Sequence, residues 1–333
     1  MRAEQPHPEV QLVLEQVAAL EAVPLNQYGA QGARDIFEQF NADIDEPEVG
    51  RIHDTTVPGY RPQEGDQRDP VPVRHYRPGE AGETAPTVIY YHGGGFVIGD
   101  IDSHDVVCRH VCDQAEVNVV SVDYRLAPEE PFPAAVEDAY AVASHVGATP
   151  DEFAGDGQLV VMGDSAGGNL SAAVTQIARD RREEAAETGR EPAMHTPDID
   201  RQVLVYPAVD ARQDRPSWEE NSEGYYLVEE DMLWFFDCYL GSDLHRGNPY
   251  AFPLAGDLHD LPPATVVTAG FDPLRDEGIA YAEALEDAGV PVEHRNYDDV
   301  IHGFFTMLAP PVDIERAHEA MDHVCDQLRR NLA

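Results

Sequence analysis

Residues 159–171 read LVVMGDSAGGNLS, an apolar run, a turn of small residues, and then a helix-forming stretch. Within it Gly163, Asp164, Ser165, Ala166 and Gly167 match G-x-S-x-G, and the match carries weight because a strand is expected before it and a helix after it. Glycine on either side of Ser165 permits a tight turn that lifts the hydroxyl above a sheet. The following helix aims its free N–H groups at the same spot. A serine that merely capped this helix would not need both glycines, so Ser165 is read as a nucleophile. A serine hydroxyl attacks poorly at its own pKa; it needs a base, usually a histidine oriented by a carboxylate.

With this motif the chain order is serine, then Asp or Glu, then His. Downstream, 264–278 reads ATVVTAGFDPLRDEG and sets Asp272 just past an apolar strand, while 297–305 reads YDDVIHGFF and sets His302 in a loop after the last strand. Catalytic groups of open α/β sheets gather at the carboxyl ends of strands. Asp276, Glu277, Asp298 and Asp299 compete for the acid role, but the first two fall at a helix start, where capping explains them. His92, His259 and His294 compete for the base; His302 alone follows the last strand in a loop. The stretch YYHGGGFVIGD at 90–100 then acquires a task. Attack on an acyl carbon builds negative charge on oxygen, and preorganised N–H donors for it are worth about 3–4 kcal/mol each. Gly94, Gly95 and the N–H of Ala166 are the candidates for that oxyanion hole. Gly93 and Asp164 support the two turns, and His92 is expected to hold the loop through a side-chain hydrogen bond. A nucleotide loop is disfavoured: no G-x-G-x-x-G opens a helix here, and no lysine is available for a P-loop.

These residues must be carried by strands, and seven segments have strand character: 70–76, 87–91, 117–123, 159–163, 202–206, 264–269 and 291–297. Helical patterns fall between most of them, at 104–115, 134–146, 166–180, 276–288 and 313–331. Alternation of this kind predicts a mostly parallel sheet covered by helices on both faces. Residues 1–50, helical over PEVQLVLEQVAALEAV and RDIFEQFNADI, and the aromatic stretch 212–245 stand outside the alternation. Both are expected to form a cap over the catalytic unit of residues 51–333, with Tyr225, Tyr226, Trp234 and Phe235 as candidate pocket walls. Residues 179–192 read as an exposed helix end and a charged loop.

The ordered set HGGGFVIGD, YRLAPE at 124–129, GDSAGGN, DPLRDEG and IHGFF resembles the hormone-sensitive-lipase-like (bacterial family IV) α/β-hydrolase esterases. The likeness runs from about residue 50 to the C-terminus and reaches the N-terminal helical segment as well. It implies an α/β-hydrolase fold with an eight-stranded, mostly parallel sheet, a helical cap and no cofactor. It further implies a serine carboxylesterase acting on short- to medium-chain esters, with Arg125 and Glu129 steadying a loop near the site. An amidase or peptidase on the same triad is the alternative, though no large gating domain is evident. A non-catalytic small-molecule receptor is the other, and it would be expected to lack His302.

Charge bounds the remaining possibilities. The 333 residues carry 63 Asp plus Glu against 22 Lys plus Arg, a formal net charge of −41, and all 22 cations are arginine. At ordinary ionic strength such a surface repels itself; at 1 M salt the Debye length falls to about 3 Å. The composition therefore points to a halophilic protein of a salt-rich cytoplasm, as in a haloarchaeon. Nucleic acid is excluded as a partner for want of a basic footprint. No signal-peptide core and no 18-residue apolar run occur, so a cytoplasmic protein without a membrane partner is expected. A small-molecule ester is the expected partner, and a homodimer is left open. Cys108 and Cys112, at helical i, i+4 spacing, have no second pair to complete a metal site, so with Cys238 and Cys325 they read as small core residues and no metal is expected.

Overall fold

The apolar segments lie side by side in one eight-stranded sheet in the computed structural model, which describes residues 1–19, 23–39, 47–60, 68–79 and 84–332. The strands are β1 (Arg51–Val57), β2 (Val71–Arg77), β3 (Ala85–Tyr91), β4 (Asn118–Val122), β5 (Gly155–Asp164), β6 (Arg201–Val205), β7 (Ala264–Phe271) and β8 (Val292–Ile301). Their order is β1-β2-β4-β3-β5-β6-β7-β8. β2 runs antiparallel to both β1 and β4, and every later pair is parallel. Parallel neighbours require crossovers, which the helices supply. All five residues of β4 and all eight of β7 are buried, as expected for strands covered on both faces.

The helices are α1 (Pro8–Ala19), α2 (Gly29–Gln39), α3 (Asp105–Ala115), α4 (Ala134–Ala148), α5 (Ala166–Thr188), α6 (Pro216–Glu220), α7 (Glu229–Leu240), α8 (Arg275–Asp287) and α9 (Glu315–Asn331). Successive strand residues point to opposite faces. Val88, Val119 and Val160 accordingly join Val111 of α3 and Met321 of α9 in one apolar cluster. Ile89, Val120 and Val161 join Ala139 of α4 and Leu170 of α5 in another. α8 packs on Leu204 and Val266 in a third cluster. Cys108, Cys112 and Cys325 are buried free thiols within the first of these layers, and Cys238 is half-buried.

Two departures from the sequence expectation have physical causes. β1, RIHDTTV, is an edge strand with six of its seven residues at least partly exposed, so it lacks the apolar run that marks a buried strand. α5 runs to Thr188, so the exposed charged stretch at 179–192 is helix for most of its length, and the loop begins only at Gly189. The N-terminal segment connects to α7: Leu25 N–H donates to Asp231 Oδ1 at 3.1 Å and Asn26 Nδ2 to Glu230 Oε1 at 2.8 Å. Residues 20–22 and 40–44 of its two helical readings lie outside the described residues. Among the described residues no helix is long and apolar enough to cross a membrane.

Candidate active site

Ser165, Asp272 and His302 each directly follow the last residue of a parallel strand, β5, β7 and β8 respectively. β5 and β7 both flank β6, and β8 pairs with β7, so three segments distant in sequence deliver their side chains to one end of the sheet. His302 Nδ1 lies 2.8 Å from Asp272 Oδ2, and His302 Nε2 lies 3.0 Å from Ser165 Oγ. Asp272 is wholly buried, and its other carboxylate oxygen accepts the Leu274 N–H at 2.8 Å. With Nδ1–H donating to Asp272, Nε2 is left to accept the serine proton. The ring of Tyr206, just past β6, lies over the imidazole at 4.5 Å between centroids.

The serine turn is strained in the way its neighbours dictate. Ser165 has φ 53° and ψ −115°, outside the ordinary regions for a non-glycine residue. A Cβ on Gly167 would lie 1.8 Å from the Tyr91 carbonyl oxygen, and one on Gly163 would lie 2.3 Å from the Gly167 carbonyl carbon. Both glycines are thus demanded by the close approach of helix to sheet. Ala166 opens α5, so its N–H has no intrahelical acceptor.

The glycine loop follows β3 and is held from behind. Gly93 N–H donates to Asp164 Oδ1 at 2.9 Å, and Tyr90 Oη donates to the same oxygen at 2.7 Å. A Cβ on Gly93 would sit 2.3 Å from Asp164 Oδ2. Burial alone would raise the Asp164 pKa, but His104 and the Tyr90 hydroxyl outweigh it and hold the carboxyl below its ordinary value. His92 is fully buried, with Nδ1 2.7 Å from the Gly93 carbonyl oxygen and its ring stacked on Tyr124 at 4.2 Å. Burial pushes its pKa down to about 4, so it is a neutral loop support. Gly94 (φ 115°), Gly95 (φ 60°) and Phe96 (φ 65°) then turn in the left-handed region. Among the described residues nothing accepts the N–H of Gly94 or Gly95.

The competing residues have other work. Asp276 accepts the Ser217 N–H at 2.9 Å and pairs with Arg275, while buried Glu277 accepts the N–H groups of Val209 and Asp210. They cap and anchor the 209–218 segment, where a cap on their own helix was expected. His259 pairs with Glu183 and Asp257 at the surface, His294 contacts Thr268, and Asp299 pairs with Arg316. Arg125 binds Asp138 and Glu137 of α4. Of the four aromatic wall candidates, Phe235 meets Gly95 and Tyr226 meets Gly303, but Tyr225 packs on Phe271 and Trp234 lies beside Phe235. His104, Tyr206 and Asn221, which donates to the Asp272 carbonyl at 3.0 Å, had no motif to reveal them. Among the described residues one group, Glu183, His259 and Asp260, gathers metal-type donors. It lies about 27 Å along α5 from the serine at 1.5 Å per residue.

Chains of known kind resemble this one in sequence and, where solved, in structure. The esterase of the archaeon Pyrobaculum calidifontis is 38% identical, with a TM-score of 0.86 over 98% of both chains. The ethyl acetate hydrolase of Pseudomonas putida is 34% identical over 97% of both chains. The carboxylic ester hydrolase LipN of Mycobacterium tuberculosis is 46% identical over 71% of this chain, an alignment spanning 61% of LipN. Residues 88–306 match the family described by the alpha/beta hydrolase fold. That span starts in β3 ahead of the glycine loop and ends just past His302, and on this ground the chain belongs to the alpha/beta hydrolase family.

Proposed function

We propose that the protein is a serine carboxylesterase of the hormone-sensitive-lipase-like group, hydrolysing short- to medium-chain esters through an acyl-enzyme. The observation that carries this is the continuous contact from Asp272 through His302 to Ser165 Oγ, at 2.8 and 3.0 Å, beside two loop N–H groups that have no acceptor among the described residues. Ser165 Oγ attacks the ester carbonyl carbon while His302 Nε2 takes its proton. The Nδ1–H bond to Asp272 fixes the tautomer and stabilises the imidazolium. The N–H groups of Gly94, Gly95 and Ala166 receive the carbonyl oxygen as it becomes anionic. Collapse expels the alcohol, which takes the proton from His302, and water repeats the sequence on the acyl-serine.

Segments 1–50 and 212–245 serve as a cap over the catalytic unit 51–333. Supporting this, Phe235 of α7 presses on Gly95, and Ser165 is only 8% exposed. A covered serine favours soluble, short acyl chains. The acid-coated surface suits a salt-rich cytoplasm, so assays belong in molar KCl. Ser165→Ala is expected to abolish hydrolysis of p-nitrophenyl butyrate, and the parent rate is expected to decline from butyrate toward laurate. Activity retained without the Ser165 hydroxyl would remove the nucleophile assignment, and a maximum at laurate would remove the covered pocket.

A further inference from the structure

Three consecutive residues at positive φ, one of them Phe96, do not hold themselves in place: a non-glycine residue there costs of order 1–3 kcal/mol and persists only when its surroundings over-determine it. Three tethers surround this loop. Asp164 fixes its start through the Gly93 N–H. The Phe96 ring stacks on Tyr239 of α7, with centroids 3.6 Å apart and planes within 6°. The third tether is Arg34, which projects from α2 and precedes the family-matched span.

The Arg34 guanidinium binds four oxygens in three places. Nε donates to the Val97 carbonyl at 2.7 Å, one terminal nitrogen donates to the Ala127 carbonyl at 2.9 Å, and both terminal nitrogens reach Glu129, at 3.0 and 2.7 Å. These acceptors belong to one connected unit. Val97 N–H and Ile98 N–H both close on the Gly94 carbonyl at 3.0 Å, and Ala127 N–H donates to the Phe96 carbonyl at 2.8 Å. Arg34 therefore grips the far end of the turn whose near end carries the two free donors, and it grips the neighbouring strand exit as well. The side chain is 18% exposed, against 58% for Glu129. An ion pair with so exposed a carboxylate contributes little. The two carbonyl bonds, made by a rigid fork that a lysine ammonium cannot reproduce, carry the restraint.

We propose that Arg34 is a positioning residue for ester hydrolysis: it fixes the Gly94 and Gly95 N–H groups where the oxyanion forms. The proposal rests on the esterase assignment of Ser165, Asp272 and His302. It makes the N-terminal helix part of the catalytic apparatus as well as a cover.

The test compares Arg34→Ala, Arg34→Lys and Glu129→Gln in the full chain in molar KCl. Active sites are titrated with a phosphate triester that phosphorylates the serine, so that misfolded protein drops out of kcat. Removing an oxyanion donor costs about 10²–10³ in kcat, and a residue acting through the loop is expected to cost roughly tenfold. Arg34→Ala should lose that factor in kcat per titrated site with KM within about twofold, and its affinity for a trifluoromethyl ketone should fall in parallel. The ketone forms a tetrahedral adduct with the serine that needs the same donors. Arg34→Lys should stay impaired, and Glu129→Gln should lose less than Arg34→Ala. Unchanged kcat per site in Arg34→Ala, with a lower melting temperature only, overturns the proposal. Equal losses in Arg34→Ala and Glu129→Gln overturn the carbonyl grip in favour of the ion pair. Absence of titratable serine in the parent would instead sink the esterase assignment.

Discussion

Replacing Gly95 with alanine separates the conformational demand of the glycine loop from its steric one. At φ 60° an alanine meets the left-handed penalty, about 1–2 kcal/mol. Its methyl carbon would also lie 2.3, 2.4 and 2.6 Å from Cγ, Cδ1 and Cδ2 of Phe235, where carbon atoms prefer about 3.5–4.0 Å. Phe235 is 4% exposed with Trp234 beside it, so its ring has little room to retreat. Overpacking of this kind costs about 1–3 kcal/mol, and the loop can relieve it only by moving the donors. A misplacement of about 1 Å at a reacting centre costs on the order of 10²-fold in rate. Gly95→Ala is therefore expected to lower kcat on p-nitrophenyl butyrate about 10²-fold. Combining it with Phe235→Ala removes the ring and the steric part while leaving the backbone penalty. The pair should then couple by about 1–3 kcal/mol, the double variant being roughly 5- to 150-fold faster than the product of the single losses. Each rate is taken per titrated site in molar KCl, because deleting a buried phenylalanine alone costs about 3–5 kcal/mol of stability. Purely multiplicative losses would refute control of the loop by the Phe235 contact, and an undiminished Gly95→Ala would remove the Gly95 donor from the mechanism.

Asp272→Asn keeps an oxygen for the Leu274 N–H but turns an amide NH₂ toward His302 Nδ1, favouring the wrong tautomer; kcat should fall about 10⁴-fold with KM little changed, and a loss below tenfold contradicts the relay geometry. Burial depresses His75 and His92 from 6.5 to about 4, so between these values the unfolded chain binds protons that the folded chain refuses. Each then removes stability as pH falls through that window, with a limiting slope of about 1.4 kcal/mol per pH unit. Urea unfolding at pH 7, 6 and 5 should show a shallower acid loss in His75→Gln than in the parent; parallel curves would show that His75 titrates normally. With a formal charge of −41, the melting temperature should rise steeply between 0.2 and 2 M KCl as screening shortens the Debye length, whereas a flat response would speak against salt adaptation.

What the sequence discloses of the site is what is encoded next to it. The Ser165 turn is legible because Gly163 and Gly167 stand on either side of the serine in the sequence, although the Tyr91 carbonyl that forbids a Cβ on Gly167 comes from β3. Asp272 and His302 are legible because each follows an apolar strand directly. β1 escapes notice because an exposed edge strand needs no apolar face, and His104 because its partner Asp164 is 60 residues away. Glu277 resembles a helix cap from its position, yet its acceptors serve residues 209 and 210, a relation that only the packing of α8 beside β6 creates.

The glycine loop lies between these cases. Its glycines permit the turn and leave it undetermined, since Gly94 and Gly95 populate many conformations as readily as the observed one. The observed one is imposed by Asp164 from the serine turn, by Phe235 and Tyr239 from α7, and by Arg34 from α2. Backbone carbonyls such as those of Val97 and Ala127 are the acceptors for Arg34, and a carbonyl carries no residue-type signature. The nucleophile is thus written in one strand–turn–helix stretch of sequence, whereas the oxyanion donors are set by Arg34, Asp164 and α7, about 60 to 145 residues away along the chain. It follows that substitutions in α2 and α7 should act on kcat through the donors while leaving the serine–histidine–aspartate contacts unaltered. An Arg34→Ala protein that still titrates stoichiometrically with the phosphate triester, yet binds the trifluoromethyl ketone roughly tenfold more weakly than the parent, is the outcome this division of labour requires.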